Sequence, residues 1–260
     1  MMKISFEYQT ELVFYSPAQK HKFLLKILPS DDSRQCIVSL TWRIGPHAVF
    51  WYTSGSFGNA ALAGCIDMPH NGFQFGINGI AEVSDKPYLD CPEPERVLRY
   101  PSELTLPDAP LAAFYKRLLS NAPAEFLPRI EYFSHAVHKH MKYERGITTN
   151  SSTAGEAFAA KAGVCQDYTH ILLTLLRLDK IPCRYVAGLA SDYGETHAWA
   201  EAWAEGKYFG IDPTRDKLID EYYIALSRGR DFNDCSVERG VYKGAHGSTQ
   251  TVYVSMEATQ

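Results

Sequence analysis

The stretch GVCQDYTHILLTLLRL, residues 163–178, decides the fold of this chain. Its apolar residues recur at helical spacing, which predicts a buried helix that begins directly after the Gly-Val pair. Cys165 then lies at the helix N-terminus, where unpaired N–H groups and the positive end of the dipole favour a thiolate. The thiolate is the nucleophilic form of cysteine. A small apolar cysteine at the start of a core helix is the alternative, and this stretch alone leaves both readings open.

A second motif, THAWAEAW at residues 196–203, alternates strictly and predicts a β-strand. One face carries only alanine. The other face carries a histidine, a glutamate and two tryptophans: His197, Trp199, Glu201 and Trp203.

The Glu205-Gly206 pair predicts a tight turn into a second strand that ends at Asp212. The turn pairs Ala204 with Lys207, which places Asp212 on the face of His197, diagonally opposite, with about 7–8 Å between backbones. Alternatively, His197 is a half-buried strand histidine and Asp212 only begins an Asp-Pro turn. A cysteine, a base and an orienting carboxylate together indicate covalent acyl transfer.

The pattern of elements changes near residue 105. Residues 1–105 contain alternating stretches typical of strands, and residues 91–110 are rich in proline and polar residues, as in a linker. Helical spacing dominates from about residue 111, and strands return after Pro182. This order predicts an α+β fold with a β-rich N-terminal domain, residues 1–105, and a catalytic domain, residues 106–260.

Composition limits the possible partners and location. The 260 residues carry a formal net charge of −4, and no basic stripe suggests nucleic-acid binding. No signal-peptide pattern and no apolar run of about 20 residues is present, so we expect a protein that is soluble, cytoplasmic and not bound to a membrane. The six cysteines form no CxxC pair and are expected to be reduced. The sequence leaves the oligomeric state open.

The three motifs GVCQDYTHILLTLLR, THAWAEAW and YFGIDPT, together with IPCRYVAGL, resemble the transglutaminase-like superfamily of cysteine enzymes. The specific part of the resemblance covers residues 110–215. The N-terminal β region and the tail from Tyr223 to Gly244 also look like the bacterial two-part cysteine proteases of that group. The resemblance implies a papain-like core, in which the helix bearing the cysteine packs on an antiparallel sheet.

The resemblance also implies the roles of the site residues. Cys165 would be the nucleophile, His197 the general base and acid, and Asp212 the residue that orients the imidazole. A peptide or other amide substrate would form a thioester with Cys165. Hydrolysis by water is the leading expectation; transamidation with an amine, or a non-catalytic binding module that keeps the fold, are the alternatives.

Other residues near these motifs have weaker assignments. The Cys165 N–H is a natural oxyanion donor, and Gln166 and Tyr143 are candidates for a second donor. Trp199 and Trp203 either form a wall of the site or fill the core, and Glu201 requires a partner or solvent. The loops ERGITTNSS, residues 144–152, and SDYGET, residues 191–196, are candidates for substrate specificity, whereas Arg230 and Asp231 are expected to be structural residues beside the cleft.

The remaining histidines do not suggest a metal site. His135, His138 and His140 cluster on one segment, but no cysteine or carboxylate completes a ligand set with them. His170 follows Cys165 by five positions and points elsewhere on the helix. With no phosphate-binding loop and no calcium-binding loop, we expect neither a metal nor a cofactor.

Overall fold

A computed structural model describes residues 1–89, 91–191 and 194–259 of the chain. The first five strands are β1 (Met2–Leu25), β2 (Gln35–Gly45), β3 (Val49–Ser54), β4 (Ala60–Ile66) and β5 (His70–Val83). The middle of the chain forms α1 (Ala109–Leu119), α2 (Phe126–His140), β6 (Lys142–Tyr143), α3 (Ala154–Ala160), β7 (Ala162–Gly163) and α4 (Cys165–Leu178). The last part forms β8 (Cys183–Ala190), β9 (Thr196–Ala204), β10 (Lys207–Asp212), β11 (Lys217–Leu218), β12 (Tyr223–Gly229), α5 (Phe232–Cys235), β13 (Glu238–Lys243) and β14 (Ser248–Ala258).

Helix α4 and a five-stranded antiparallel sheet form the core that was expected from the cysteine motif. The strand order is β11-β10-β9-β8-β12. The β9–β10 hairpin has the predicted register, with Ala204 opposite Lys207 and Trp203 opposite Tyr208. The alanine face of β9 packs in one buried cluster with the leucines of α4. The expected α+β fold, a cysteine-bearing helix packed on an antiparallel sheet, is therefore confirmed.

Strand β1 organises the N-terminal sheet. Its first half pairs with β5 and β14, and its second half pairs with β4 and β13. The register shifts between Val13 and Ala18, and Lys20 has a left-handed backbone with a φ of 50°. β1 is therefore one 24-residue strand that takes part in both halves of the sheet, because irregularities within the strand redirect it without ending it.

The end of the chain returns to the N-terminal sheet. Strands β13 and β14 both pair with β1, and β14 does so along its whole length, from Ser248 to Ala258. These residues belong to the predicted second domain, residues 106–260. Sheet pairing assigns them to the first sheet, a long-range contact that neither composition nor alternation in the tail could reveal.

Side chains from the N-terminal sheet bind the edge strand β12 of the second sheet. The buried Gln35 donates from Nε2 to the Ala225 carbonyl at 3.0 Å and accepts the Ala225 N–H at 2.8 Å. Asn59 does the same at Arg228, with both contacts at 2.7 Å. The two amides therefore pair with the β12 backbone as a neighbouring strand would, and they join the two parts of the molecule.

We predict that Gln35→Ala destabilises the protein, because two buried backbone groups of Ala225 lose their partners. The expected loss in the free energy of unfolding is about 2 kcal/mol or more. Urea denaturation followed by circular dichroism measures it. The matched control is Gln74→Ala on β5, since Gln74 is exposed and its side-chain amide donates to the Glu11 carboxylate at 2.6 Å. Equal stabilities of the two variants would contradict the role of Gln35.

Candidate active site

The first turn of α4 fixes the position of Cys165. The Asp167 carboxylate accepts the N–H of Val164, the residue before the helix, at 2.7 Å. It also accepts the hydroxyl of Thr148 at 2.7 Å, which ties the preceding loop to the helix. A Cβ at Gly163 would lie 2.4 Å from the same carboxylate oxygen, so only glycine fits there. The GVC sequence therefore brings Asp167 back over the turn and starts the helix at Cys165.

His197 and Asp212 are in direct contact. The imidazole Nε2 lies 2.7 Å from Asp212 Oδ2, and both side chains are fully buried. His197 comes from β9 and Asp212 from the end of β10, on the shared face that alternation predicted. The β9–β10 hairpin, a local element of the sequence, is therefore enough to bring together two of the three candidate site residues.

Asp212 has a nearly complete set of hydrogen-bond donors. Its Oδ2 also accepts the Tyr223 hydroxyl at 2.8 Å, and its Oδ1 accepts the N–H groups of Thr214 and Arg215 at 2.8 and 3.2 Å. Burial alone would raise the pKa of the carboxyl, but the contacts with His197 and these donors lower it below its usual range. Asp212 therefore stays charged and holds the imidazole in one orientation.

Tyr223 is a site residue that sequence reasoning missed. It begins β12, at the opposite end of the strand order from β10 and β11. Because neither spacing nor alternation relates β12 to Asp212, only the arrangement of the whole sheet could identify the contact.

Cys165 completes the group. Its side chain lies within hydrogen-bonding contact of His197, and Nε2 of the imidazole is already bound to Asp212. Burial lowers the pKa of His197, but Asp212 and the negative charge of the Cys165 thiolate outweigh it and raise this pKa to about 9. At neutral pH the imidazole therefore carries a proton, in contact with both the Asp212 carboxylate and Cys165.

This raised pKa links the site to stability. A group whose pKa rises on folding stabilises the folded state. Its contribution is complete at pH values below its pKa in the unfolded chain, here 6.5. The contribution of His197 is then lost as the pH rises through about 9. Asp212, whose pKa is lowered, contributes above its usual value of 3.8, and that contribution is lost as the pH falls through the lower folded value. The charged pair is thus stable across the neutral range.

A pocket of about 240 Å³ opens over Cys165. Its walls come from the loop before α3, the first turn of α4, strands β8 and β9, and the segment around α5. The residues that line it are Tyr143, Arg145, Asn150, Val164, Cys165, Gln166, Tyr185, Ala187, Glu195, Thr196, His197, Ala198, Phe232 and Val237.

The other residues on the His197 face have structural roles. Trp199 is fully buried and contacts His197 and Tyr223 through ring stacking and an edge contact. Glu201, also buried, accepts from Arg184 at 2.5 Å and Arg228 at 3.2 Å. Burial raises the pKa of Glu201, but the two guanidinium groups outweigh it and hold that pKa at about 2. Glu201 therefore has the partners it was expected to require, and Trp199 supports the imidazole from the core.

The two candidates for a second oxyanion donor both line the pocket. The Gln166 side-chain amide donates to the Asn150 carbonyl at 3.2 Å. Tyr143 hydrogen-bonds Arg145 and lies close enough to Cys165 for the two groups to interact electrostatically. Of the two predicted specificity loops, residues 144–152 reach the pocket through Arg145 and Asn150. In the loop 191–196, Asp192 and Tyr193 lie outside the described residues, while Glu195 and Thr196 line the pocket.

Residues in the tail, the segment from Tyr223 to Gly244, form hydrogen bonds beside the pocket. Arg230 binds Asp234 at 2.7 Å, and Asp231 caps α5 through the Asn233 N–H at 2.8 Å. His170 is buried and accepts the Phe232 N–H at 3.2 Å. The helix that carries Cys165 is thereby joined to Phe232, which lines the pocket.

Across the described ranges, no group of three or more histidine, cysteine or acidic residues is placed to hold a metal ion. His135 lies 2.5 Å from Asp216, and His138 and His140 contact the carbonyls of Pro213 and Phe158. Within the same residues, no helix has the length and apolar character needed to cross a bilayer.

We predict that the His197 imidazole titrates near pH 9 and that Asp212→Asn moves this midpoint down toward the usual value of 6.5. The physical reason is loss of the carboxylate charge that stabilises the imidazolium. Histidine NMR of the two proteins measures the midpoints. The matched control is Tyr223→Phe, which removes a hydrogen bond to Asp212 but keeps its charge, and so keeps the midpoint high. An unchanged midpoint in Asp212→Asn would contradict the assignment.

The middle of the chain is similar to a known family. The sequence profile of the transglutaminase-like superfamily matches residues 112–213. An uncharacterized protein of Mycobacterium tuberculosis is 28% identical over 266 residues, covering 88% of this chain and 84% of that protein. An uncharacterized protein of Mycobacterium leprae is 26% identical over 280 residues, covering 98% of this chain and 99% of that protein.

A solved structure extends the likeness to the fold of the whole chain. The crystal structure of a "Putative Cysteine Protease" from Cytophaga hutchinsonii superposes with a TM-score of 0.83, covering 100% of this chain and 91% of that one, at 18% sequence identity. At this identity the likeness concerns the fold, including its β-rich N-terminal part. The segment that matches the transglutaminase-like superfamily, residues 112–213, includes Cys165, His197 and Asp212.

Proposed function

We propose that this protein is a cysteine hydrolase that transfers the acyl group of a peptide or other amide to water through a thioester on Cys165. The observation that carries the proposal is the contact series from Cys165 at the start of α4 to His197 and on to Asp212. In this series a nucleophile, a base and an orienting carboxylate are held by a rigid helix and a rigid hairpin.

The first half-reaction forms the thioester. The Cys165 thiolate attacks the amide carbonyl carbon, and the carbonyl π electrons move to oxygen. When the tetrahedral intermediate collapses, the C–N bond breaks and the amine leaves with the proton that His197 donates. Asp212 keeps the imidazole in the orientation and charge state that this transfer requires.

The second half-reaction releases the acid. The now neutral His197 accepts a proton from water as the water attacks the thioester. Collapse of this intermediate expels the Cys165 thiolate and restores the imidazolium. The N–H of Cys165, at the first position of α4, suits the oxyanion that forms in both steps.

The proposal requires no cofactor and no metal, since each proton and electron pair is handled by the three side chains. An amine in place of water would give transamidation through the same thioester, and the product separates these two outcomes. The cytoplasmic location and a bacterial source remain part of the proposal. The bacterial source is supported by the similar proteins from Mycobacterium, which are bacterial.

We predict that p-nitrophenyl acetate acetylates Cys165 and that Cys165→Ala lowers ester hydrolysis by on the order of 10³-fold or more. Intact-mass and peptide mass spectrometry locate the acetyl group, and nitrophenol release measures the rate. The matched control is Cys36→Ala, since Cys36 is an exposed cysteine of the N-terminal sheet. The same reaction, repeated with added glycine methyl ester as the amine, tests for the amide product of transamidation.

Two results would refute the proposal. Full activity of the Cys165→Ala variant would show that Cys165 is not the nucleophile. An unacylated Cys165 in the wild-type protein, with no ester hydrolysis above that of the control solution, would favour a binding module that retains the fold.

A further inference from the structure

The pocket over Cys165 is lined by both apolar and charged residues. Ala187, Ala198, Phe232 and Val237 are apolar, whereas Arg145 and Glu195 carry opposite charges. The guanidinium Nη1 and the Glu195 Oε1 are 3.1 Å apart; the Arg145 side chain is 61% exposed and that of Glu195 47%. The proposed hydrolysis uses neither of these charged residues.

The backbone around Arg145 is anchored to the cysteine helix. Strand β6 ends at Tyr143, whose partner in β7 is Gly163, and the Glu144 N–H donates to the Gly163 carbonyl at 2.9 Å. On the other side of Arg145, Thr148 binds Asp167 and Gln166 binds Asn150. The loop that bears Arg145 is therefore held on both sides at a fixed position relative to Cys165.

The Arg145 side chain contacts Glu195 and Tyr143. It pairs with Glu195, and it lies close enough to Cys165 for the charges of the two groups to interact. A guanidinium binds carboxylates through two parallel N–H···O contacts, a geometry that lysine does not offer. Because exposed ion pairs are weak, a carboxylate on a bound ligand can displace Glu195 from it.

We propose that Arg145 binds a carboxylate of the acyl donor, and that Glu195 occupies the guanidinium when the pocket is empty. This inference rests on the proposed function and names its substrate class: amides with a negative charge close to the scissile carbonyl. The carboxylate is either an acidic side chain or the end of a peptide chain, and the chemistry of recognition is the same.

Three bromoacetyl electrophiles test this inference. Bromoacetyl-glutamic acid α-amide carries a side-chain carboxylate, bromoacetyl-glutamine carries a terminal one, and bromoacetyl-glutamine amide carries neither. The rate of alkylation at Cys165 is read by peptide mass spectrometry at one fixed pH. The measured quantity is the rate for each anionic reagent divided by the rate for the neutral reagent.

We expect Arg145→Gln to lower this ratio by roughly fivefold for at least one anionic reagent. This is the effect expected when one charge interacts with another over a few ångströms in water. Glu195→Gln should raise the same ratio. The matched control is Lys142→Gln, which removes a positive charge three positions away that pairs with Glu144 and does not line the pocket. The reagent with the larger change identifies the source of the carboxylate.

The result that overturns the inference is a ratio in Arg145→Gln that equals that of Lys142→Gln for both anionic reagents. This outcome is distinct from failure of the proposed function. The neutral reagent alone reports whether Cys165 is an activated nucleophile, whereas the ratio reports only the contribution of Arg145.

Discussion

The hydrogen bond between His197 and Asp212 is the interaction on which the rest of the site depends. Placing an ionised pair inside the protein costs desolvation free energy, which is recovered only if every charged atom has partners. The structure supplies these partners. Tyr223 and two backbone N–H groups donate hydrogen bonds to the Asp212 carboxylate, and Cys165 contacts the imidazole. A buried histidine would otherwise lose its proton, so this arrangement is what permits an imidazolium beside the cysteine.

Two rigid elements hold the three side chains in place. The hairpin of β9 and β10 sets the His197–Asp212 pair by its register, and the Asp167 carboxylate sets the first turn of α4. The helix and the hairpin pack through one apolar cluster, so their relative position is fixed by close packing and does not depend on the polar contacts themselves. The N-terminal sheet adds a further constraint, since its side chains bind the backbone of β12, the strand that begins with Tyr223.

The parts of the site that the sequence predicts are those that local rules determine. Alternation and one tight turn are enough to place His197 and Asp212 on a common face, and helical spacing is enough to start a helix at Cys165. That these two elements meet came from the family resemblance, because no local rule relates residue 165 to residue 197. Tyr223 was beyond reach for the same reason, because its contact with Asp212 depends on strand order. The loop of residues 144–152 was predicted as a specificity loop, but the position of Arg145 within it depends on how the loop packs on the helix. The return of β14 to β1 is likewise a contact between the two ends of the chain.

The central claim is that Asp212, acting through His197, makes Cys165 a nucleophile. The most direct measurement compares iodoacetamide alkylation of Cys165 in the wild-type protein and in Asp212→Ala at neutral pH. The exposed Cys36 in the same sample serves as an internal reference. The account predicts that the Cys165 rate, relative to Cys36, falls at least tenfold in the variant, the change that about 1.4 kcal/mol of lost interaction would produce. An unchanged ratio would mean that the cysteine does not depend on the pair, and would contradict the account.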